Sequence, residues 1–319
     1  KRSTFNPKVS IIIPFYNRLD KTLISLKSAI NQTYENKEIL LIDDGSTEDS
    51  TTIKKYIKNK KNIKLVSLVT NQGPAAARNV GINSAEGEYI AFLDSDDEFI
   101  KDKLDKQISI MKKFNRDISY TAYTRRDSRS ETLVADPSLT GIIVPNAIRG
   151  CTVATPTVII RKSLLTNNDI YFNETLRIGE DTCFWLEIAK ISEFKFINEP
   201  LTVVNVDDNT HSQDYPKLIQ GIQNILTYLL NDEYYSKFSY DISFLTEYFY
   251  KINQEAVAQL DIRLRDKSYL NIKHTQPHIQ TKSIKESIKK TTTYKAVRVL
   301  YKKGPRATLS VAKKRIKRK

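Results

Sequence analysis

Four apolar runs dominate the first hundred residues, and each stops abruptly in polar groups. They are "VSIIIPFYN" (Val9–Asn17), "EILLIDDGS" (Glu38–Ser46), "IKLVSLVTNQG" (Ile63–Gly73) and "EYIAFLDSDD" (Glu88–Asp97). Continuous β-branched runs of this kind suit strands buried on both faces, as in a parallel sheet. Helical stripes separate them. In "LDKTLISLKSAI", Leu23, Leu26, Ala29 and Ile30 share a face, with Asp20 as the expected N-cap. "TEDSTTIKKYIKN" gives a second helix, and "PAAARNVGINS" a third that opens on Pro74. This alternation predicts an α/β domain with a largely parallel sheet. In such sheets ligands gather beyond the carboxyl ends of the strands. The breaks Pro14–Asn17, Asp43–Ser46, Asn71–Gly73 and Asp94–Asp97 all fall at those ends.

From about Asp117 the pattern loosens. "DISYTAY" and "TPTVIIRKSLL" read as shorter strands, and "IGEDTCFWLEIAKIS" as a helix opening on Glu180 and Asp181. Carboxylates there suit the positive end of a helix. "FKFINEPLTVVNVDDNTHSQD" reads as two further strands and an exposed tail. Beyond Tyr215 the chain turns helical and rich in Tyr, Phe and Leu. The expected division is a catalytic domain over residues 1–212 and a mainly helical region over 213–319.

The charge of +14 is confined to one end: Lys282 to Lys319 holds 15 of the 51 basic residues and one of the 37 acids. The rest is balanced, so the excess says little about the chemistry of the main domain. Within that tail Ile284, Ile288, Val297, Leu300 and Tyr301 interleave with the cations. Three readings stand: a solvated end, a segment on an anionic leaflet, or RNA binding. The interleaving favours the membrane surface, and nucleic acid is disfavoured because no RNA-recognition motif accompanies the charge. No apolar run approaches the length of a membrane span, and "KRSTFNPK" shows no signal-peptide pattern. Two cysteines, Cys151 and Cys183, give no disulfide framework and point to a reducing compartment. His274 and His278 have metal-like spacing, but Pro277 interrupts the helix it requires.

Asp94, Asp96 and Asp97 form a cluster of like charges at a strand end. A solvated turn is one explanation; a bound cation is the other. Together with "LLIDDGSTEDS", "NQGPAAARNVGINSAEGEYIAFLDSDD" and "IGEDTCFWLEIAK", the run "VSIIIPFYN" resembles glycosyltransferase family 2, over about two thirds of the chain. The resemblance implies the GT-A fold: a Rossmann-like, mostly parallel sheet flanked by helices. It also implies a nucleotide-sugar donor, a divalent cation (Mn2+ or Mg2+) and inversion at the anomeric carbon. The physical chemistry agrees, because a nucleoside diphosphate leaving group carries several charges that a hard cation neutralises as a Lewis acid.

By the same resemblance, Asp96 binds the metal, and Asp94 meets the ribose or metal-bound water. Asp44 reads uracil, with Pro14, Tyr16, Asn71 and Arg78 completing the pocket; the expected donor is UDP-linked, although a carboxylate would also accept from guanine. Asp181 is the general base, and Glu180 holds the donor sugar or acceptor. Asp97 shapes the turn, and Trp185 belongs to the core. His211 is matched to a metal-ligating histidine of wall teichoic acid enzymes, with Asp207 and Asp208 as rival ligands. The Gln-x-x-Arg-Trp motif of processive members is missing, so single or few additions are expected.

The expected activity is inverting, metal-dependent transfer to a cell-surface glycan, polyol-phosphate such as teichoic acid, or lipid-linked acceptor. The enzyme is expected in the cytoplasm, peripheral at the inner face of a bacterial membrane. Its helical end would serve acceptor, membrane or homo-oligomer contacts. The alternative is a catalytically silent GT-A-like binding module. A dinucleotide oxidoreductase is disfavoured by the missing Gly-x-Gly-x-x-Gly after the first strand.

Overall fold

The computed structural model describes residues 6–206 and 215–268. The chain divides into two compact units, Lys1–Ala147 with Cys151–Asp208, and Ile148–Gly150 with Asn209–Lys319. The expected 212/213 boundary, His211, Asp207, Asp208, His274, His278 and the basic tail all lie outside the described residues.

The elements follow the order β1 (Val9–Phe15), α1 (Leu19–Ile30), β2 (Lys37–Asp43), α2 (Thr51–Ile57), β3 (Ile63–Ser67), α3 (Pro74–Ser84) and β4 (Tyr89–Phe92). Next come β5 (Glu98–Phe99), α4 (Lys103–Phe114), β6 (Ile118–Arg126), β7 (Glu131–Val134), α5 (Val144–Arg149), β8 (Ile159–Arg161), α6 (Lys162–Thr166), α7 (Glu180–Ala189) and β9 (Phe194–Asn205). Helices α8 (Tyr215–Asn231) and α9 (Ser239–Ser268) follow.

The sheet runs β3-β2-β1-β4-β8-β6-β9-β5, with β7 paired to β6. It is parallel from β3 to β4, and the far half mixes parallel β6–β9 with antiparallel pairs. Because β2 and β4 flank β1 on opposite sides, the order reverses at β1. A crevice opens where loops leave neighbouring strands in opposite directions.

Both faces of β1 are covered, which explains its unbroken apolar run. Val9, Ile11 and Ile13 join a core with Leu26 and Ala29 of α1, Ile53 of α2, and Leu104, Ile108 and Met111 of α4. Ile12 points the other way, towards α3, where a Cβ on Gly81 would stand 2.4 Å from its Cγ2. Phe92, in register with Ile12, lies in an aromatic cluster with Phe172, Phe184 and Trp185. Trp185 is thus core, as expected, and it ties α7 to the carboxyl end of β4.

Several local expectations are corrected. The residue preceding α1 is Arg18, in the left-handed region (φ 56), and Asp20 sits in the first turn without capping. "TPTVIIRKSLL" makes a 3-10 turn (Thr155–Thr157), a three-residue strand and then helix α6 rather than one strand. The segment from Phe194 is a single 12-residue strand, not two. Pro200 has no N–H for the ladder, and the pairing with β6 absorbs it through register shifts at Ala122.

In the second unit, α8 buries Ile222, Leu226 and Leu229, while α9 buries Ile242, Leu245, Phe249 and Ile252. These helical spacings give each helix one apolar stripe. Asp232 closes the connection by accepting the Tyr234 N–H at 2.9 Å.

The close approach of α3 to β1 yields a stability prediction. Gly81→Val should overpack the contact with Ile12 and lower stability by about 3 kcal/mol. A urea unfolding midpoint equal to that of the unaltered chain would show that this contact has room to spare.

Candidate functional site

The first unit collects its polar strand ends at the switch point, and the hydrogen bonds show how each is held. At the end of β2, Asp43 Oδ1 accepts the N–H of Ser46, three residues on, at 2.8 Å and so holds the turn. Asp44 is buried and points across to the loop before α3. Its two oxygens accept the N–H groups of Gln72 and Gly73, each at 2.8 Å. The expected base reader therefore also anchors the loop that carries Asn71. Each carboxylate oxygen keeps a further lone pair for an incoming donor.

Beyond β1 the chain makes two consecutive left-handed residues, Asn17 (φ 55) and Arg18 (φ 56). The Asn17 side chain supports that conformation by accepting the N–H groups of Thr47 and Glu48 at 2.9 and 3.1 Å. Pro14 is buried within β1, while Tyr16 stands 42% exposed at its mouth. Arg18 Nη1 reaches Asp96 Oδ2 at 3.2 Å.

After β4 the chain turns through Asp94, Ser95 and Asp96. The Asp97 N–H donates to the Asp94 carbonyl at 3.0 Å, and the buried Asp97 Oδ1 accepts the Asn205 N–H at 2.9 Å. Asn205 Nδ2 also donates to the Asp96 carbonyl at 2.6 Å. Asp97 thus holds the turn to β9, while the side chains of Asp94 and Asp96 stay partly exposed. Burial, then repulsion from Asp94, raises the Asp96 carboxyl above its ordinary range. Asp97 is raised well above its ordinary range by burial and then by Asp94 and Asp96.

Arg78, in α3, joins two parts of the site. It is 6% exposed, with Nη2 on Asp94 Oδ1 at 2.8 Å and Nη1 on Glu180 Oε1 at 3.1 Å. Its guanidinium stands 5.3 Å from the Phe172 ring centroid. Burial opposes its charge, but Asp94 and Glu180 more than offset this and hold it firmly protonated. Burial, and next the neighbouring Asp181, raise the Glu180 carboxyl, and Arg78 opposes the rise. Glu180 and Asp181 open α7 after Gly179, whose left-handed φ of 79 turns the chain into the helix. Asp181 Oδ1 accepts the Thr182 N–H at 2.7 Å and is partly exposed.

Bonds within the first unit therefore connect Asp94, Arg78 and Glu180 directly, with Asp181 next in the chain. They also join Asp44 to the loop bearing Asn71, and Asp96 to Arg18. His211 lies outside the described residues. Among the described residues no group of three or more His, Cys, Asp or Glu is arranged to hold a metal. Asp94 and Asp96 are nevertheless a suitable oxygen donor set for a cation that completes its shell with substrate phosphates and water. A positive ion there would relieve the repulsion that, after burial, raises Asp96.

Sequence reasoning missed Arg18 and Asn205. Arg18 falls in the polar break after β1 and could have been found from its place there. Asn205 carries no signal in the sequence and becomes visible only through the fold.

Comparison with known proteins comes to the same place. A family model described as "Glycosyl transferase family 2" matches residues 10–152. A glycosyltransferase of Rickettsia bellii is 41% identical over 235 residues, 73% of this chain and 34% of that relative. The chain thus spans about a third of that relative's length. WfgD of Escherichia coli, named as a UDP-Glc:alpha-D-GlcNAc-diphosphoundecaprenol beta-1,3-glucosyltransferase, is 35% identical over 192 residues, 60% of this chain and 73% of WfgD. Among solved structures, S. aureus TarS 1–349 in complex with UDP-GlcNAc is similar with a TM-score of 0.59 at 25% identity. That likeness covers 75% of this chain and 71% of the TarS chain.

Removing Arg78 leaves two carboxylates facing each other without their cation. Arg78→Met should cost about 3 kcal/mol at neutral pH. Without Arg78 the folded-state pKa of Glu180 rises further above its unfolded value, so the folded state holds the proton more tightly. Stability of the variant then grows as pH falls through that window. Urea midpoints at about pH 7.5 and about pH 5 should show a deficit that narrows with acid; a deficit independent of pH contradicts the arrangement.

Proposed function

Since this chain belongs to glycosyltransferase family 2, we propose that it transfers a sugar from a UDP-linked donor to an acceptor hydroxyl, with inversion and with help from a divalent cation. The observation that carries this reading is the Asp94–Arg78–Glu180 bridge at the sheet's switch point. It ties the carboxylates suited to a metal and diphosphate to the helix end bearing Asp181, so donor and base have fixed relative positions.

Asp94 and Asp96 would hold Mn2+ or Mg2+, with His211 as a further candidate ligand. When bound, the cation offsets charge on the departing diphosphate. Pro14, Tyr16, Asp44 and Asn71 line the nucleoside side. Asp181 is the base: one oxygen accepts the Thr182 N–H, and the other can take the acceptor proton. Glu180 is committed to Arg78 and positions rather than abstracts. The acceptor oxygen loses its proton to Asp181 and bonds to the anomeric carbon as the bond to the diphosphate oxygen breaks. Attack opposite the leaving group inverts the centre.

The acceptor class we propose is a cell-surface glycan, polyol-phosphate or lipid-linked sugar. WfgD, whose name specifies a diphosphoundecaprenol acceptor, supports the lipid-linked option. No helix among the described residues is long and apolar enough to cross a membrane. A peripheral association through the basic tail is the arrangement we propose at the inner membrane face. The domain division we propose remains a catalytic unit through residue 212 and a helical region after it.

Mn2+-dependent release of UDP from a panel of UDP-sugars tests the activity. Asp181→Asn should keep UDP affinity but lose transfer by about a thousandfold, since it removes a base and leaves the nucleotide side intact. Normal turnover in that variant would take Asp181 out of the mechanism. Absence of both turnover and nucleotide binding in the unaltered chain would favour a silent binding module.

A further inference from the structure

The segment between Phe172 and Glu180 crosses the start of α3 and is fastened to it at both ends. At one end, Asn79 Nδ2 donates to the Phe172 carbonyl and to Glu174 Oε1, each at 2.9 Å. Asn79 Oδ1 accepts the Phe172 N–H at 2.9 Å. At the other end, Arg78 holds Glu180. Two neighbouring residues of one helix thus pin both ends of a nine-residue strap that leads into the candidate base.

Arg177 is the strap's one cation. Its Nη1 donates to Asn71 Oδ1 at 3.4 Å, the outer limit of such a bond. The guanidinium packs against Gly73 through its Nη1 end: a Cβ there would stand 2.1 Å from Nη1, 3.0 Å from Cζ and 3.4 Å from Cδ. Gly73 therefore provides the space in which Arg177 sits. From its other side, the loop is held by the Asp44 carboxylate at the N–H groups of Gln72 and Gly73. Of the five N–H donors of the guanidinium, one makes a long bond to Asn71 and the group remains exposed to solvent. Such a fork suits phosphate oxygens, which it can bind in bidentate fashion.

We propose that Arg177 is a donor-binding residue that closes on the diphosphate of the nucleotide from the strap side. The inference rests on the nucleotide-sugar reading above and deepens it. The guanidinium would join the leaving group that Asp94, Asp96 and a bound divalent cation would also serve. Because Arg177 stands four residues before Asp181, occupancy of the diphosphate also steadies the strap that delivers the base. A nucleotide bound there, with its phosphates, draws the two sides of the cleft together.

The test measures UDP and uridine binding by calorimetric titration and competition in the presence of Mn2+, for the unaltered chain, Arg177→Ala and Arg177→Lys. UDP affinity should fall about tenfold or more in Arg177→Ala and recover in part in Arg177→Lys, as expected for a charge-assisted bond to phosphate. Uridine, which has no phosphate, should bind Arg177→Ala as well as it binds the unaltered chain. Unchanged UDP affinity in Arg177→Ala overturns the proposal. So does an equal loss for uridine, which would make Arg177 a support for the loop at Asn71. If the unaltered chain binds neither ligand, the nucleotide reading falls and this inference falls with it; binding that is retained in every variant defeats only the role of Arg177.

Discussion

A guanidinium buried between two carboxylates organises this site. Arg78 lies on a helix, Asp94 at the end of a strand and Glu180 at the start of another helix, far apart in sequence. Taking a charge out of water costs several kcal/mol, so such a group persists only where its partners are fixed in place. The rest of the catalytic unit supplies that fixity. The sheet carries Asp94 to the crevice, the aromatic cluster of Phe92, Phe172, Phe184 and Trp185 seats α7, and α3 lies against β1 across Gly81. In the proposed function this pairing separates two roles: Glu180, bonded to Arg78, positions, and Asp181 takes the proton.

Order reversal in the sheet gives this arrangement its direction. β2 and β4 leave β1 on opposite sides, and the polar breaks after these strands open at one end of the sheet. Buried residues then take supporting roles around exposed ones. Asp97 and Asn205 hold the turn from behind, so Asp94 and Asp96 can remain accessible despite their repulsion. Asp44 braces the loop that carries Asn71. Asn17 stabilises the left-handed turn that presents Arg18. In the function proposed for the chain, Asp94 and Asp96 would hold a divalent cation, which would offset their repulsion and the charge of a diphosphate.

Much of the architecture could be read from the sequence because it rests on local patterns. Continuous β-branched runs with both faces apolar give parallel strands, and the position of Pro74 marks the start of α3. The pattern failed where tertiary pairing decides. The segment from Phe194 suggested two strands, yet β9 runs unbroken past Pro200 because its pairing with β6 shifts register. Asp20 suggested a cap, but Arg18 takes the left-handed position before the helix. In the site, spacing and family resemblance selected the carboxylates, while their mutual contacts needed the fold. Nothing near Arg78 in sequence reveals that its partners are Asp94 and Glu180, and nothing near Arg177 reveals that Gly73 makes room for it.

In the proposed function, strand ends far apart in the chain converge on a diphosphate bound with a divalent cation. Titrating the unaltered protein with UDP, first without divalent cations and then with Mn2+, tests it most directly. Mn2+ should tighten UDP binding by about tenfold or more, and Asp96→Ala should remove this gain. Equal UDP affinity with and without Mn2+, or a full Mn2+ effect in Asp96→Ala, would contradict it.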